Sequence, residues 1–390
     1  MPRPGRRECS PVERVADGAD GSNRWHRWER DRVSGAGPLG SWVGEDYEVV
    51  AEISESMPTG VTVADDGRVF VSFPRWGDDV PFTVAEIVDG RPVPYPNPEV
   101  NRWSPGDPAT QLISVQSVVV DPTGSLWLLD TGAPEFGPFV AGGAKLIQVD
   151  LSTNEVVRVL RPSAEAVTAT TYLNDVRFDF SRGVAGYAYV TDSQPTGALI
   201  VFDLHTGESW CRLRGHYSTQ AVDQFRAVVQ GVVREGYKVG ADGIAISADG
   251  SRIFYCPLSS RRLYSVDTAA VLDRGRDDDD VAQTVTDHGD KGASDGMESD
   301  TDGALYVTAY EHSAVFRRDA EGGWSTVFHG RDLLWPDTLA LGGDGYLYVS
   351  VNQLPRSPLF NTGVDDRILP YLIIRKHIGA TPIRLVKSGQ

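Results

Sequence analysis

The chain has 390 residues, with 37 Lys and Arg against 54 Asp and Glu, a formal charge of −17. That balance argues against phosphate backbones and anionic membranes, so neither nucleic acid nor a membrane is an expected partner, while neutral or cationic small molecules are. Three cysteines (Cys9, Cys211 and Cys256) form no CxxC or Cys/His cluster, which excludes structural zinc and a disulfide framework, and no run approaches the roughly eighteen apolar residues of a membrane helix.

Residues 1–44 are rich in Gly, Arg and Pro, show no apolar signal-peptide core, and are read as a flexible arm. Trp25 and Trp28 are its candidates for docking. The chain has no N-x-Ser/Thr sequon, which with the few cysteines points to a reducing, cytoplasmic setting. From residue 45 onward one phrase recurs: a polar residue, a short apolar strand, an Asp/Gly turn and a second apolar strand. It begins at Thr59, Gln116, Asn174, Asp242, Asp295 and Asp337, six copies in all. Alternation such as Ile244/Ile246 and Leu305/Val307 has the period of two of a pleated strand. Asp-Gly pairs at 66–67, 249–250, 302–303 and 344–345 supply the positive φ of tight hairpins. Further strand candidates between the copies complete four-stranded blades. Repeats of this spacing predict an all-β fold, a six-bladed β-propeller around a central channel over 45–390. Its ring is closed by N- and C-terminal strands, here 47–53 and 371–386. The longest interruption, 216–239, is expected as a loop or short helix over one face. The acidic run 277–280 lacks the spacing of a calcium loop and reads as a solvated connection.

Equivalent strand starts in a propeller converge on the axis, so Gln116, Asn174, Asp242, Asp295 and Asp337 are predicted to form a polar ring at one mouth. Of the adjacent pair Asn174/Asp175 only one can face the axis. Glu298, three residues past Asp295, is sent to the opposite side of its strand by simple alternation. Two carboxylates 8 Å apart repel by roughly 2 kcal/mol at an effective dielectric near 20. Several of them therefore call for a bound hard cation, a cationic amine, or a shared proton on a carboxyl of raised pKa. Asp before Gly at a strand start also has a purely structural reading, as a turn cap. Around the ring, Tyr310 and Trp335 are candidate walls of a ligand pocket and His312 a candidate general base. His216 opens the long loop and is a candidate to overhang the mouth, and Asn352 ends the second strand of the last copy. No phosphate loop, dinucleotide fingerprint, nucleophile elbow or HExxH is present.

The runs VGADGIAISADGSRIFYCPLSSRRLYSVDT, SDGMESDTDGALYVTAYEHSAVFRR and LLWPDTLALGGDGYLYVSVNQL, with YLNDVRFD, resemble the Yellow/major royal jelly protein family over roughly residues 47–370. The resemblance implies a six-bladed propeller and a family associated with dopachrome conversion or with binding amines and lipids. It favours Asn174 as the axis-facing donor and Asp175 as a hydrogen-bond partner within the blade. A more distant likeness is to the gluconolactonase/senescence-marker propellers, which hold a divalent ion with one Glu, two Asn and one Asp. Their positions fall on Asn174, Asp242 and Asp295, while the Glu position falls at Met57–Pro58, where no carboxylate stands. The implied cofactor is thus either none or one calcium-like divalent cation. Together these readings favour an enzyme that isomerises, cyclises or opens the ring of a cyclic or cationic small molecule. In it Asp242, Asp295, Asp337 and His312 do the proton work, and Asn174, Gln116, Tyr310, Trp335, His216 and Asn352 hold the substrate. A non-catalytic amine binder and a metal-dependent lactonase are the alternatives.

Overall fold

The computed structural model describes residues 43–44, 47–103 and 107–387. Val43–Gly44 pair with residues 47–48; the rest of the proposed arm, with Trp25 and Trp28, lies outside the described residues. Five antiparallel four-stranded sheets follow in chain order over 61–94, 115–160, 173–212, 241–290 and 297–329. The sixth takes three strands from 336–377 and its fourth, Tyr47–Ile53, from the other end of the chain. The innermost strands touch one another in turn and the sixth returns to the first. This is a six-bladed propeller. Only Tyr371–His377 of the predicted closing segment pairs as a strand.

The apolar residues sort into six clusters, one between each pair of neighbouring blades. Strand alternation is the cause: Ala188 and Val190 face back toward Trp127 of blade 2, while Tyr189 faces forward to Tyr255 of blade 4. Each such side chain contributes about 1.5–3 kcal/mol on full burial, so a blade is stable only between its neighbours. At the hairpin tips Gly67, Gly250, Gly303 and Gly345 take positive φ, as predicted, but the Asp before each does not. Each tip is a turn closed by a left-handed Gly rather than a two-residue type I′ loop.

Every innermost strand carries one extra residue where it begins. In blade 4 residues 242–243 oppose Cys256 alone, in blade 3 residues 174–175 oppose Thr191, and in blade 6 residues 337–338 oppose Ser350. In blade 5 Asp295 N–H donates to Thr308 O, while Thr308 N–H donates to Gly296 O. These bulges shift the alternation by one, so residues i and i+3 both face the channel. Glu298 therefore lies on the same side as Asp295, and the strict alternation expected from sequence is overturned. It shares a cavity of about 110 Å³ low in the channel with Thr62, Val119 and Arg177.

In four of the six blades the residue opposite the bulge ties the ring together. Ser72 and Thr191 donate through their hydroxyls to the carbonyls of Gln116 (2.9 Å) and Asp242 (2.6 Å), each the ring residue of the following blade. Thr308 does the same to Asp337 at 3.1 Å, and Ser350 to Thr59. The glycines after Asp242 and Asp295 are dictated by this closeness. A Cβ on Gly243 would stand 2.2 Å from Asp295 O, and one on Gly296 2.5 Å from Asp337 O. Neither glycine has positive φ, so the reason is space, not backbone freedom. At the far mouth residues 378–387 cross the propeller. They bond to Thr301 and Phe180, pack Leu385 against Gly250, and line the lower cavity with Pro382 and Ile383.

Gly296→Ala is expected to destabilise the protein by about 1–3 kcal/mol in urea unfolding, the usual cost of overpacking. The control Gly275→Ala, on an exposed loop beside the flexible end of Asp273, should be nearly neutral.

Candidate functional site

The six ring positions are Thr59, Gln116, Asn174, Asp242, Asp295 and Asp337, one per blade, and all are buried. Thr59 was missed in sequence, although its Thr-Gly start matches the Asp-Gly of blades 4 and 5. The ring is lopsided: blades 1 to 3 present a hydroxyl and two amides, and blades 4 to 6 present three carboxyls.

Asp242 and Asp295 lie within hydrogen-bonding reach of each other. Burial, then the charge of Asp295, holds the Asp242 carboxyl well above the ordinary range. Burial also raises Asp295, to about 7, against the indole N–H of Trp335, which donates to Asp295 Oδ2 at 2.8 Å and favours its charged form. The ammonium of Lys291, 4% exposed, acts in the same sense. Asp337 is likewise raised, first by burial and then by Asp295, despite hydrogen bonds from Asn352 Nδ2 and Thr338 Oγ1. Three buried carboxyls in one cluster cannot all ionise together, and the indole donor favours the charge on Asp295.

The supporting residues are equally specific. Trp335 sits in the left-handed region at φ 58, a conformation costing a bulky residue roughly 1–2 kcal/mol. It is held by its bond to Asp295 and by stacking on Tyr310 at 4.0 Å and 12°. Tyr310 is buried within this stack and its O–H donates to Leu258 O. Asn352 is wholly buried, accepts from Leu354 N–H, and orients Asp337. Asp175 accepts from Val176 N–H and Arg177 of its own blade and also from Ser117 of blade 2, so it bridges two blades instead of serving only within its own. Among the described residues no side-chain hydrogen bond is made by Asn174. Gln116 accepts through Oε1 from Tyr172 Oη at 3.0 Å.

Two expectations do not meet the ring. His312 is exposed, packs on Phe316, and lines an outer cleft with Arg261 and Glu311. His216 bonds to Ser218, which bonds to Tyr255, and its neighbour Tyr217 packs on Tyr264, away from the axis. Over the mouth instead stand aromatic residues from loops: Trp76, Phe136, Tyr172, Tyr237 and Phe360. Residues 216–239 hold a small hairpin, not a helix. The oxygen donors Asn174, Asp242 and Asp295 stay at the mouth and are compatible with a divalent cation. Against a resident ion, Met57 is buried in apolar surroundings at the fourth position, and no group of three His, Cys, Asp or Glu side chains among the described residues is arranged to hold a metal.

A family model described as Major royal jelly protein matches residues 113–372, more than half of the chain. Protein yellow of Drosophila melanogaster is 26% identical over 322 residues, which cover 77% of this chain and 59% of that protein. Protein yellow of Drosophila pseudoobscura pseudoobscura is 27% identical over 323 residues, covering 77% and 57%. The chain thus spans less than two thirds of the length of these relatives. Among solved structures, a putative gluconolactonase superposes with a TM-score of 0.54 at 13% identity, covering 86% of this chain and 93% of that one. A luciferin-regenerating enzyme gives 0.52 at 12% identity, covering 86% and 96%. At such identities the likeness is one of fold.

The raised carboxyls make a signed prediction. A carboxyl whose folded pKa is raised binds its proton more tightly in the folded state. Its stabilising contribution is complete below the unfolded value near 4 and is lost as pH rises through the folded value. Asp242→Asn removes that liability, so the variant should gain stability over the wild type at pH 8 relative to pH 5 in paired urea titrations. An unchanged difference between the two pH values would show that Asp242 is not held protonated.

Proposed function

The chain belongs to the major royal jelly protein family, and on that footing we propose that it is a small-molecule enzyme acting by acid/base chemistry at the channel mouth. The reaction class is isomerisation, cyclisation or ring-opening of a cyclic metabolite. One observation carries this reading: two buried carboxyls, Asp242 and Asp295, face each other with environments that separate their proton affinities. Asp242 holds a proton and Asp295, steadied by the Trp335 indole, gives and takes one near neutral pH. A donor and an acceptor side by side can remove a proton from one atom of a substrate and return it to another. Asp337, fixed by Asn352, is the reserve acid. The amide of Asn174 and the amide nitrogen of Gln116, whose oxygen accepts from Tyr172, orient the polar edge of the substrate from the opposite half of the ring.

The lopsided ring favours a second reading, a binder of cationic amines. The two readings differ in proton traffic. A cation drawn among the carboxyls forces them to ionise, so amine binding releases protons, measurable by calorimetry in buffers of different ionisation enthalpy. The lactonase-like reading places Asn174, Asp242 and Asp295 around a divalent ion acting as a Lewis acid.

Under the enzyme reading Asp295→Asn and Asp242→Asn should each lower kcat by roughly 10²–10⁴-fold, with circular dichroism unchanged. Asn352→Ala, which only frees Asp337, should cost less. The melting temperature of protein purified without chelator should not move with EDTA. A stoichiometric divalent ion, lost with a lower melting temperature, would overturn this reading in favour of the metal-dependent one.

A further inference from the structure

Between blades 4 and 5, away from the channel, lies a cleft of about 340 Å³, the size of a small-molecule site. One wall is the end of the last strand of blade 4, with Asp290, Lys291 and Gly292. The other is the outer half of blade 5, with Phe316 and Trp324. The register pairs Phe316 with Thr326 and Arg318 with Trp324. Phe316 and Trp324 therefore stand on one face of the sheet as diagonal neighbours. They give the cleft an apolar side, and Trp324 is 36% exposed.

The charged lining divides into committed and uncommitted groups. Glu311 accepts two bonds from Arg261 and one from Val228 N–H, and Arg261 also donates to Arg226 O. That pair ties the hairpin 227–234 to blades 4 and 5. Lys291 is different. It is 4% exposed, and its one side-chain hydrogen bond among the described residues goes to Gly292 O at 3.0 Å. Asp295 feels its charge from a distance. An ammonium has three N–H donors, so two of these are uncommitted, and a buried cation without a carboxylate partner is costly. Asp290, beside it, is exposed and accepts from Gly292 N–H through Oδ1, which leaves Oδ2. A lone anion in the cleft would meet Asp290 and a lone cation would meet Lys291; a molecule carrying both charges satisfies the two together.

We propose that this outer cleft binds a free amino acid with a large apolar side chain, its carboxylate on Lys291, its ammonium on Asp290 and its side chain against Phe316 and Trp324. The carboxylate supplies the partner that the buried ammonium lacks. Charge-assisted bonds at both ends of so small a molecule fix its orientation, and the apolar side selects the side chain. None of these four residues belongs to the ring, so the inference stands apart from the acid/base reading of the channel mouth.

The test is equilibrium dialysis of the full-length protein with radiolabelled L-leucine. Leucine should bind, and isocaproate and isoamylamine, which lack its ammonium and its carboxylate respectively, should each compete about tenfold more weakly than leucine itself. Lys291→Met and Asp290→Asn should each weaken leucine binding by about tenfold, and Trp324→Ala by about fivefold. Asp290 and Trp324 are exposed, so their variants test the site where Lys291→Met fails to fold, which its melting temperature reports. Asp295→Asn, which abolishes turnover under the enzyme reading, should leave leucine affinity within about twofold, so that failure of the ring chemistry and failure of the cleft are told apart. No binding of leucine to the wild type would overturn the proposal. So would equal competition by either analogue, or indifference to Asp290→Asn and Trp324→Ala. Loss of binding in Asp295→Asn would move leucine to the ring and overturn it as well.

Discussion

One extra residue at the start of each innermost strand sets the geometry of this molecule. A regular strand would send every second side chain to the axis and give a channel with evenly spaced polar and apolar layers. The bulge replaces that spacing with i and i+3. It gathers Thr59, Gln116, Asn174, Asp242, Asp295 and Asp337 at one mouth and leaves Arg177, Glu298 and Thr62 as a second layer below. The same bulge lets the second strand of a blade lend a hydroxyl to its neighbour, and the glycines after Asp242 and Asp295 make room for the next blade's carbonyl. Position and polarity at the mouth are therefore consequences of how the blades are joined.

The second constraint is the desolvation of three carboxyls. An isolated buried carboxylate shifts its pKa rather than bear its full solvation loss. Here the surroundings divide the burden unequally. Asp295 has an indole donor and a nearby lysine, Asp337 has an amide and a hydroxyl, and Asp242 has chiefly Asp295 itself. The strained backbone of Trp335 belongs to the same arrangement, since a relaxed residue there would not aim its indole at Asp295. Strain and buried charge concentrated in one place are the mark of a site maintained for chemistry or binding rather than for stability.

Much of this was legible in the sequence, for a physical reason. A propeller repeats one hairpin, so the phrase beginning at Gln116, Asn174, Asp242, Asp295 and Asp337 reports both the blade and its axial residue. The turn glycines and the closing strand Tyr47–Ile53 were readable in the same way. What failed to show was whatever depends on distance from the axis or on loops. His312 follows a second strand and His216 a fourth, and in a radial fold each strand further along the blade lies further out. Thr59 lacked the amide or carboxyl that marked the other ring members. Glu298 was misplaced because a bulge leaves no composition signal of its own. Trp76, Phe136, Tyr237 and Phe360 sit in connections whose spacing varies from blade to blade, and only folding brings them over one mouth.

The two ends of the channel are closed by different means, and the difference bears on how a ligand arrives. At the far end residues 378–387 are woven in, with backbone bonds to Thr301 and Phe180, an ion pair from Arg384 to Asp65, and Leu385 half-buried against blade 4. Opening it would break contacts with four blades at once. At the ring end the closure is a single layer of rings on loops, tied across the mouth by Arg367 to Asp78 and by Arg234 to Asn361. Of these rings Phe136, 42% exposed, is the most accessible, while Tyr172 and Tyr237 are buried. A molecule entering the channel at this end would meet the aromatic layer before it reached the carboxyls.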